Sequence, residues 1–330
     1  MYHNTNRPFT HVQAPNHLMP QPRLSLPVGT VIDCYRVLKL VGSGGFSLIY
    51  LAKDEDTGDD VIIKELIPKK FARRGEQLAV VPLDEKSADN LNRSRRLFFQ
   101  EIQALSALRH PNIVEVRSFF RAHNTAYMVM EYFRGKNLAT YIKQRKGELS
   151  TRFITRVFFP ILDALSMIHS RSFLHLDIKP SNIHLRVGRQ PLLLDFGAVH
   201  QVAGDNKGKR GRVVTAGYSP VEQYYQGGYV GPWSDVYAIG ASLRACIEGK
   251  TPPSAIERHP KDPLVPASEA FGDRYPMFLL QVIDWSMELD PQQRPQHAGE
   301  LLTALKTQRG RPAPDTHYRV ADPAAGKQGS

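Results

Sequence analysis

The pattern of apolar residues changes character once along this chain, near residue 131, and that change limits the folds open to it. Before it, short apolar runs at about 35–41, 48–52, 61–65, 115–121 and 125–131 are separated by turn residues, which is the signature of β-strands. One helix interrupts them at about 91–108, with Phe98, Ile102 and Leu105 on a shared face. It ends at His110 and Pro111, because proline cannot continue the helical hydrogen-bond ladder. After residue 131 the period is helical. Ser150 is placed to cap a helix whose Phe153, Val157, Ile161, Leu165 and Ile168 form one stripe. Further helices fit 233–248, closed by Gly249, then 277–288 and 296–306. The expected fold class is α+β, a small strand-rich lobe followed by a larger helical one. A cleft between two lobes is where a ligand would sit.

Composition narrows the class further. With 42% apolar and 23% charged residues among 330, the chain is neither disordered throughout nor collagen-like nor a coiled-coil rod. Two cysteines, Cys34 and Cys246, exclude a disulfide scaffold and a zinc site built on several thiolates; both fit buried thiols in a reducing compartment. Residues 1–29 hold five prolines and no Asp or Glu, and 308–330 have a similar bias, so both read as flexible tails around a folded part at 30–307. The best candidate for a membrane span, 153–168, carries Arg156, Pro160 and Asp163 and falls short of the roughly 18–20 apolar residues a span requires. No signal or lipidation pattern marks either end, so no membrane span and a cytoplasmic location are expected. The net charge of +11 favours anionic partners in general. The basic residues are not interleaved with aromatics, so no specific nucleic-acid partner is expected.

The chemistry is concentrated in a few segments. Gly42, Gly44 and Gly45 lie between two strand patterns, not between a strand and a helix, so the loop is a hairpin and not a dinucleotide fingerprint. Backbone N–H groups in such a hairpin can lie over phosphate oxygens. Lys64 ends the apolar run Val61-Ile62-Ile63; it reads either as a surface lysine at a strand end or as a cation on the phosphates of a nucleotide, with Glu101 from the helix at 91–108 as the candidate carboxylate that orients it. His175-Leu176-Asp177-Ile178-Lys179-Pro180-Ser181-Asn182 follows, and then Asp195-Phe196-Gly197.

Taken in this order, these segments resemble the eukaryotic-like (Hanks-type) protein kinases, especially the bacterial serine/threonine kinases, over about 35–305. The resemblance implies a bilobal protein kinase fold with an N-lobe at 30–131 and a C-lobe at 132–307. It implies ATP and Mg2+ as cofactors and protein substrates. By the family pattern Asp177 takes the proton of the acceptor hydroxyl, Lys179 neutralises the transferring phosphoryl group, and Lys64 pairs with Glu101. Asn182 and Asp195 would hold the metal, a hard cation that prefers oxygen ligands. The nucleotide site would take in Val41, Gly42, Gly44, Gly45 and Ile49 above, with Ile62 as roof and His184 as floor. Met130 would be the gatekeeper, and the backbones of Glu131 and Phe133 would face adenine. Glu222 should pair with Arg294, Asp235 should hold the catalytic loop, and Thr215 should bond near Asp177 and Lys179.

The chain departs from that pattern in places. Ser47 replaces the third glycine, Ile62 an alanine, His184 an aliphatic residue, and Leu176 the arginine before the catalytic aspartate. Lysine two residues after Asp177 is the serine/threonine form of the loop. The alternative is a pseudokinase scaffold that binds nucleotide without turnover; a small-molecule kinase would lack the segment from Asp195 through Glu222 to Arg294. Asn137 and Ser181 stand where basophilic members carry carboxylates, and Lys207, Lys209, Arg210 and Arg212 crowd the activation segment, so acidic or neutral substrate flanks are expected over arginine-rich ones.

Overall fold

The computed structural model describes residues 24–188, 190–196, 200–201, 214–225, 228–259 and 261–310. The N-terminal part is a six-stranded antiparallel sheet built from β1 (Val31–Ile32), β2 (Tyr35–Ser43), β3 (Ser47–Asp54) and β4 (Asp60–Leu66). After a small hairpin of β5 (Ala72–Arg74) and β6 (Val80–Pro82) and the helix α1 (Ser87–Ala107), β7 (Val116–Ala122) and β8 (Thr125–Glu131) complete it in the order β1-β2-β3-β4-β8-β7. The strands and the helix fall where the apolar runs put them, within a few residues. One core lies inside this sheet, where Val37, Tyr50, Ala52, Val61, Ile63 and Val129 are buried. Phe98, Ile102 and Leu105 of α1 face the other, larger core.

A buried ion pair fastens the top of the N-lobe. Glu65 is fully buried next to Lys64 in β4, and Arg74 from β5 grips both its oxygens at 2.7 Å. Tyr50 and Tyr127 each donate a further hydrogen bond at 2.8 Å, so the carboxylate is saturated. Arg74 Nε also donates to the Leu24 carbonyl at 2.9 Å, and Leu26 is buried with its N–H on the Tyr50 hydroxyl. The last residues of the proline-rich stretch at 1–29 are therefore packed onto the lobe from Leu24 onward.

The C-lobe begins with β9 (Gly135–Asn137), α2 (Leu138–Arg145) and α3 (Thr151–Ser170). Ser150 caps α3 as its spacing foretells, accepting the Phe153 N–H. α3 has a mean hydropathy of 1.2 over eighteen residues, enough in length and composition for a membrane span, but Ile154, Val157, Phe158, Ile161, Leu162, Leu165 and Ile168 are buried in the main core. It serves as the core helix of this lobe. The chain continues through β10 (Phe173–Leu174), β11 (Ile183–Arg186), β12 (Pro191–Leu193) and β13 (His200–Gln201). β11 pairs with both β12 and β9, so a three-stranded sheet lies directly under the segment that links the lobes. Then come α4 (Val221–Tyr224) and the buried α5 (Pro232–Glu248), ended by Gly249 at φ +82°, a left-handed cap that glycine adopts without a Cβ clash. The short α6 (Ala255–Arg258) and α7 (Ala267–Ala270), then α8 (Met277–Ser286) and α9 (Ala298–Lys306), finish the lobe.

Candidate active site

The two lobes meet over a cleft of about 750 Å³. Its upper wall comes from the β2–β3 hairpin through Val41, Gly42, Gly44 and Ile49, and from β4 through Ile62 and Lys64. Its back is Met130, Glu131 and Phe133, and its floor is His184 with Leu192. Gly45, expected among the binding residues, is not part of this wall; it shapes the hairpin, with its carbonyl accepting the Lys69 N–H at 3.0 Å. Leu105, read from the sequence only as a core position, also lines the cleft, as do Val114, Leu192 and Leu194, which the sequence did not single out. The apolar run before Asp195 was the available signal for the last two.

Lys64 is where β4, α1 and the Asp195-Phe196 segment converge. Its Nζ lies 2.7 Å from Glu101 Oε1 and 2.8 Å from Asp195 Oδ1. Burial works against the ammonium charge, but Glu101 and Asp195 more than offset it, so the lysine's pKa is raised and it is held as a cation. Glu101 also accepts the backbone N–H of Phe196, which ties α1 to the Asp195-Phe196 segment. Phe196 is fully buried, with its ring 4.7 Å from that of His175. Asp195 itself has φ +59°, a left-handed conformation that costs a side-chain-bearing residue ~1–2 kcal/mol. Such strain persists where surrounding contacts over-determine it. Gly197 lies outside the described residues.

Across the cleft, Lys179 Nζ lies 2.9 and 2.8 Å from the two oxygens of Asp177. Thr215 donates to Asp177 Oδ1 at 2.8 Å and accepts from Lys179 at 3.1 Å. Asn182 Nδ2 donates to the Asp177 carbonyl at 2.9 Å and to its Oδ2 at 3.1 Å. Because both amide hydrogens of Asn182 are directed at Asp177, its Oδ1 is turned away as an acceptor. That oxygen and the Asp195 carboxylate are the donor set a hard divalent cation requires, so the residues present fit a magnesium ion.

The loop that carries Asp177 is held from below. Buried Asp235, on α5, accepts the N–H of His175 at 2.9 Å and of Leu176 at 2.7 Å. Burial alone would raise its pKa; His169, 2.9 Å away, and His175 overturn that and hold the carboxyl below its usual range. Leu176 has φ +58°, and Gln223 Nε2 donates to its carbonyl at 2.9 Å. Gln223 had no signal in the sequence beyond standing next to Glu222. Glu222 pairs with Arg294 through two contacts of 2.8 and 3.2 Å. The basic residues Lys207, Lys209, Arg210 and Arg212 lie outside the described residues.

Comparison with known proteins agrees with this geometry. Residues 35–304 match the family described as protein kinase domain. The serine/threonine-protein kinase PknA of Nostoc is 29% identical over 82% of this chain and 47% of its own length. The serine/threonine-protein kinase pkn2 of Myxococcus xanthus is 30% identical over 84% of this chain and 33% of its own. The chain thus spans half or less of the length of these curated relatives. A solved structure titled PpkA-294, apo form, superposes with a TM-score of 0.76 at 30% identity, covering 86% of this chain and 99% of that one. With the lysine–glutamate pair, the Asp177 loop and the Asp195 segment brought to one cleft, the chain belongs to the protein kinase domain family, among relatives of the bacterial serine/threonine type.

Proposed function

We propose that this domain is a protein serine/threonine kinase that uses ATP with magnesium. The observation that carries the reading is the assembled pair of clusters, Lys64–Glu101–Asp195 facing Asp177–Lys179–Asn182–Thr215 across the cleft. ATP would lie with its phosphates below the β2–β3 hairpin and its base against Glu131 and Phe133. Lys64 would orient the phosphates. Asp177 would take the proton of a substrate Ser or Thr hydroxyl as its oxygen bonds to the γ-phosphorus and the bond to the bridging oxygen of ADP breaks. Lys179, already on Asp177, would neutralise charge spreading onto the equatorial oxygens. A magnesium ion held by Asn182 and Asp195 would supply charge neutralisation on the phosphates.

Asn137, whose side chain caps α2 through the Thr140 N–H, and exposed Ser181 present no carboxylate near the substrate path. We therefore favour protein substrates with acidic or neutral flanks. A peptide array with labelled ATP tests both statements. Label on Ser and Thr peptides, enriched where Asp or Glu flanks the acceptor, is the expected result. No label above background would sink the activity, and strong selection for arginine would sink the flank preference.

A second expectation concerns control. A phosphate on an activation loop acts by pairing with arginine, including the one before the catalytic aspartate. That position is Leu176, buried and held through its N–H by Asp235 and through its carbonyl by Gln223. No Ser, Thr or Tyr occurs from Gly197 to Val214. Thr215 is bound between Asp177 and Lys179, where a phosphate would obstruct the substrate. Enzyme stripped by a phosphatase should retain activity within about tenfold, equivalent to roughly 1.4 kcal/mol of barrier. A larger loss, restored by autophosphorylation, would show that a modified residue orders the site.

A further inference from the structure

His184 stands on β11, in register with Asn137 of β9, and its ring forms part of the cleft floor. Its Nε2 lies 3.1 Å from the carbonyl oxygen of Phe133. A carbonyl only accepts, so Nε2 carries the hydrogen and donates it. The ring is also pressed against the linker: a Cβ added at Gly135 would come within 2.7 Å of His184 Nε2. Two residues further along the same strand, the Arg186 guanidinium sits 5.0 Å from the centroid of the Phe133 ring. It is itself fixed by the carbonyls of Pro111 at 2.9 Å and Gln190 at 2.7 Å. Phe133 is thus held at its carbonyl and at its ring by one strand of the C-lobe, with its carbonyl directed at the His184 ring and one lone pair occupied there.

This matters for which base the cleft accepts, and the argument rests on the kinase reading above. The hydrogen-bonding edge of adenine brings one donor, its 6-amino group, and one acceptor, N1. These match the backbone carbonyl of Glu131 and the N–H of Phe133. A purine with a 2-amino group brings a second donor, whose natural acceptor is the carbonyl of Phe133. We infer that His184 is a specificity-determining residue that withholds the Phe133 carbonyl from the nucleotide, so that a 2-amino group on the purine gains nothing here. An aliphatic residue at 184 would leave that acceptor open.

The test compares ATP with 2,6-diaminopurine riboside triphosphate, by direct binding and as phosphoryl donors. The wild type should bind the two within about twofold. His184→Leu should bind the diamino nucleotide more tightly than ATP by about 2- to 12-fold, the range spanned by one net hydrogen bond. His184→Gln, which restores an N–H at this position, should return the ratio toward that of the wild type. A residue that merely fills the floor would shift both nucleotides together and leave the ratio unmoved. The inference is overturned if the wild type already favours the diamino nucleotide by more than about fivefold, or if the ratio is the same in wild type and His184→Leu. Because the wild-type comparison stands alone, a variant that fails to fold does not protect the idea. If the wild type binds neither nucleotide, the kinase reading itself falls, and this inference with it.

Discussion

Asp177→Asn should lower the turnover of phosphoryl transfer by about 10²–10⁴, the usual worth of a positioned general base, while ATP affinity stays within about threefold. The reason lies in what surrounds the carboxylate. Lys179, Thr215 and Asn182 all direct hydrogens at its oxygens, an arrangement that suits a carboxylate and not an amide. An amide there cannot take a proton from the acceptor hydroxyl, and its own N–H groups would meet donors already present. In the proposed mode the nucleotide's anchors would lie elsewhere, at Lys64, Asp195 and the backbone of Glu131 and Phe133, all of which line the cleft. Lys64→Met makes the opposite comparison. It removes the cation that joins Glu101 to Asp195, so productive phosphate binding should suffer along with turnover. Steady-state kinetics with a peptide substrate, paired with direct nucleotide binding, separate the two. Turnover within tenfold of wild type for Asp177→Asn would remove that residue from the role of base.

The contrast between these residues shows what a sequence makes legible. Asp177, Lys179, Asn182 and Asp195 stand within twenty residues of one another, and their spacing alone brings them to one place once the loop is recognised. Lys64 and Glu101 are 37 positions apart and were paired through the strand–helix pattern, which survives folding because the sheet and α1 pack face to face. Glu65 and Arg74 went unread. Their partners are two tyrosines and the Leu24 carbonyl, spread over a hundred residues with no periodicity to connect them. A glutamate inside the apolar run of β4 was nonetheless a signal, because a carboxylate buried there requires hydrogen-bond donors. The hairpin of β5 and β6 exists in part to supply one, and three-residue strands are too short for alternation to reveal. His184 was legible as a departure from the usual floor, but its bond to Phe133 depends on the register of β9 against β11, which no local pattern fixes.

The other large effect expected is on stability. Arg294→Met should cost about 3–5 kcal/mol, the penalty for leaving one half of a buried ion pair without its partner. The Arg294 side chain is fully buried and every one of its five N–H groups has an acceptor. Nε donates to the Glu288 carbonyl at 2.7 Å, Nη1 to Glu222 at 2.8 Å and to the Trp233 carbonyl at 3.4 Å, and Nη2 to Glu222 at 3.2 Å and the Leu289 carbonyl at 2.9 Å. Its plane also lies 5.0 Å from the Tyr237 ring. Glu222 also accepts from Ser234 at 2.8 Å, and without the guanidinium it loses two charge-assisted bonds. Methionine would fill most of the volume, so the loss reports the orphaned carboxylate and carbonyls more than a cavity. Adding Glu222→Leu to Arg294→Met should then recover part of the loss, because the uncompensated charge goes with it. Equilibrium denaturation of the two single variants and the double variant measures the coupling. Glu222 closes the segment that begins at Thr215, so the single variants should lose turnover as well as stability, through the Thr215–Asp177 contact. A loss below about 1 kcal/mol for Arg294→Met, the level of an exposed pair, would mean that this bridge does not brace the lobe.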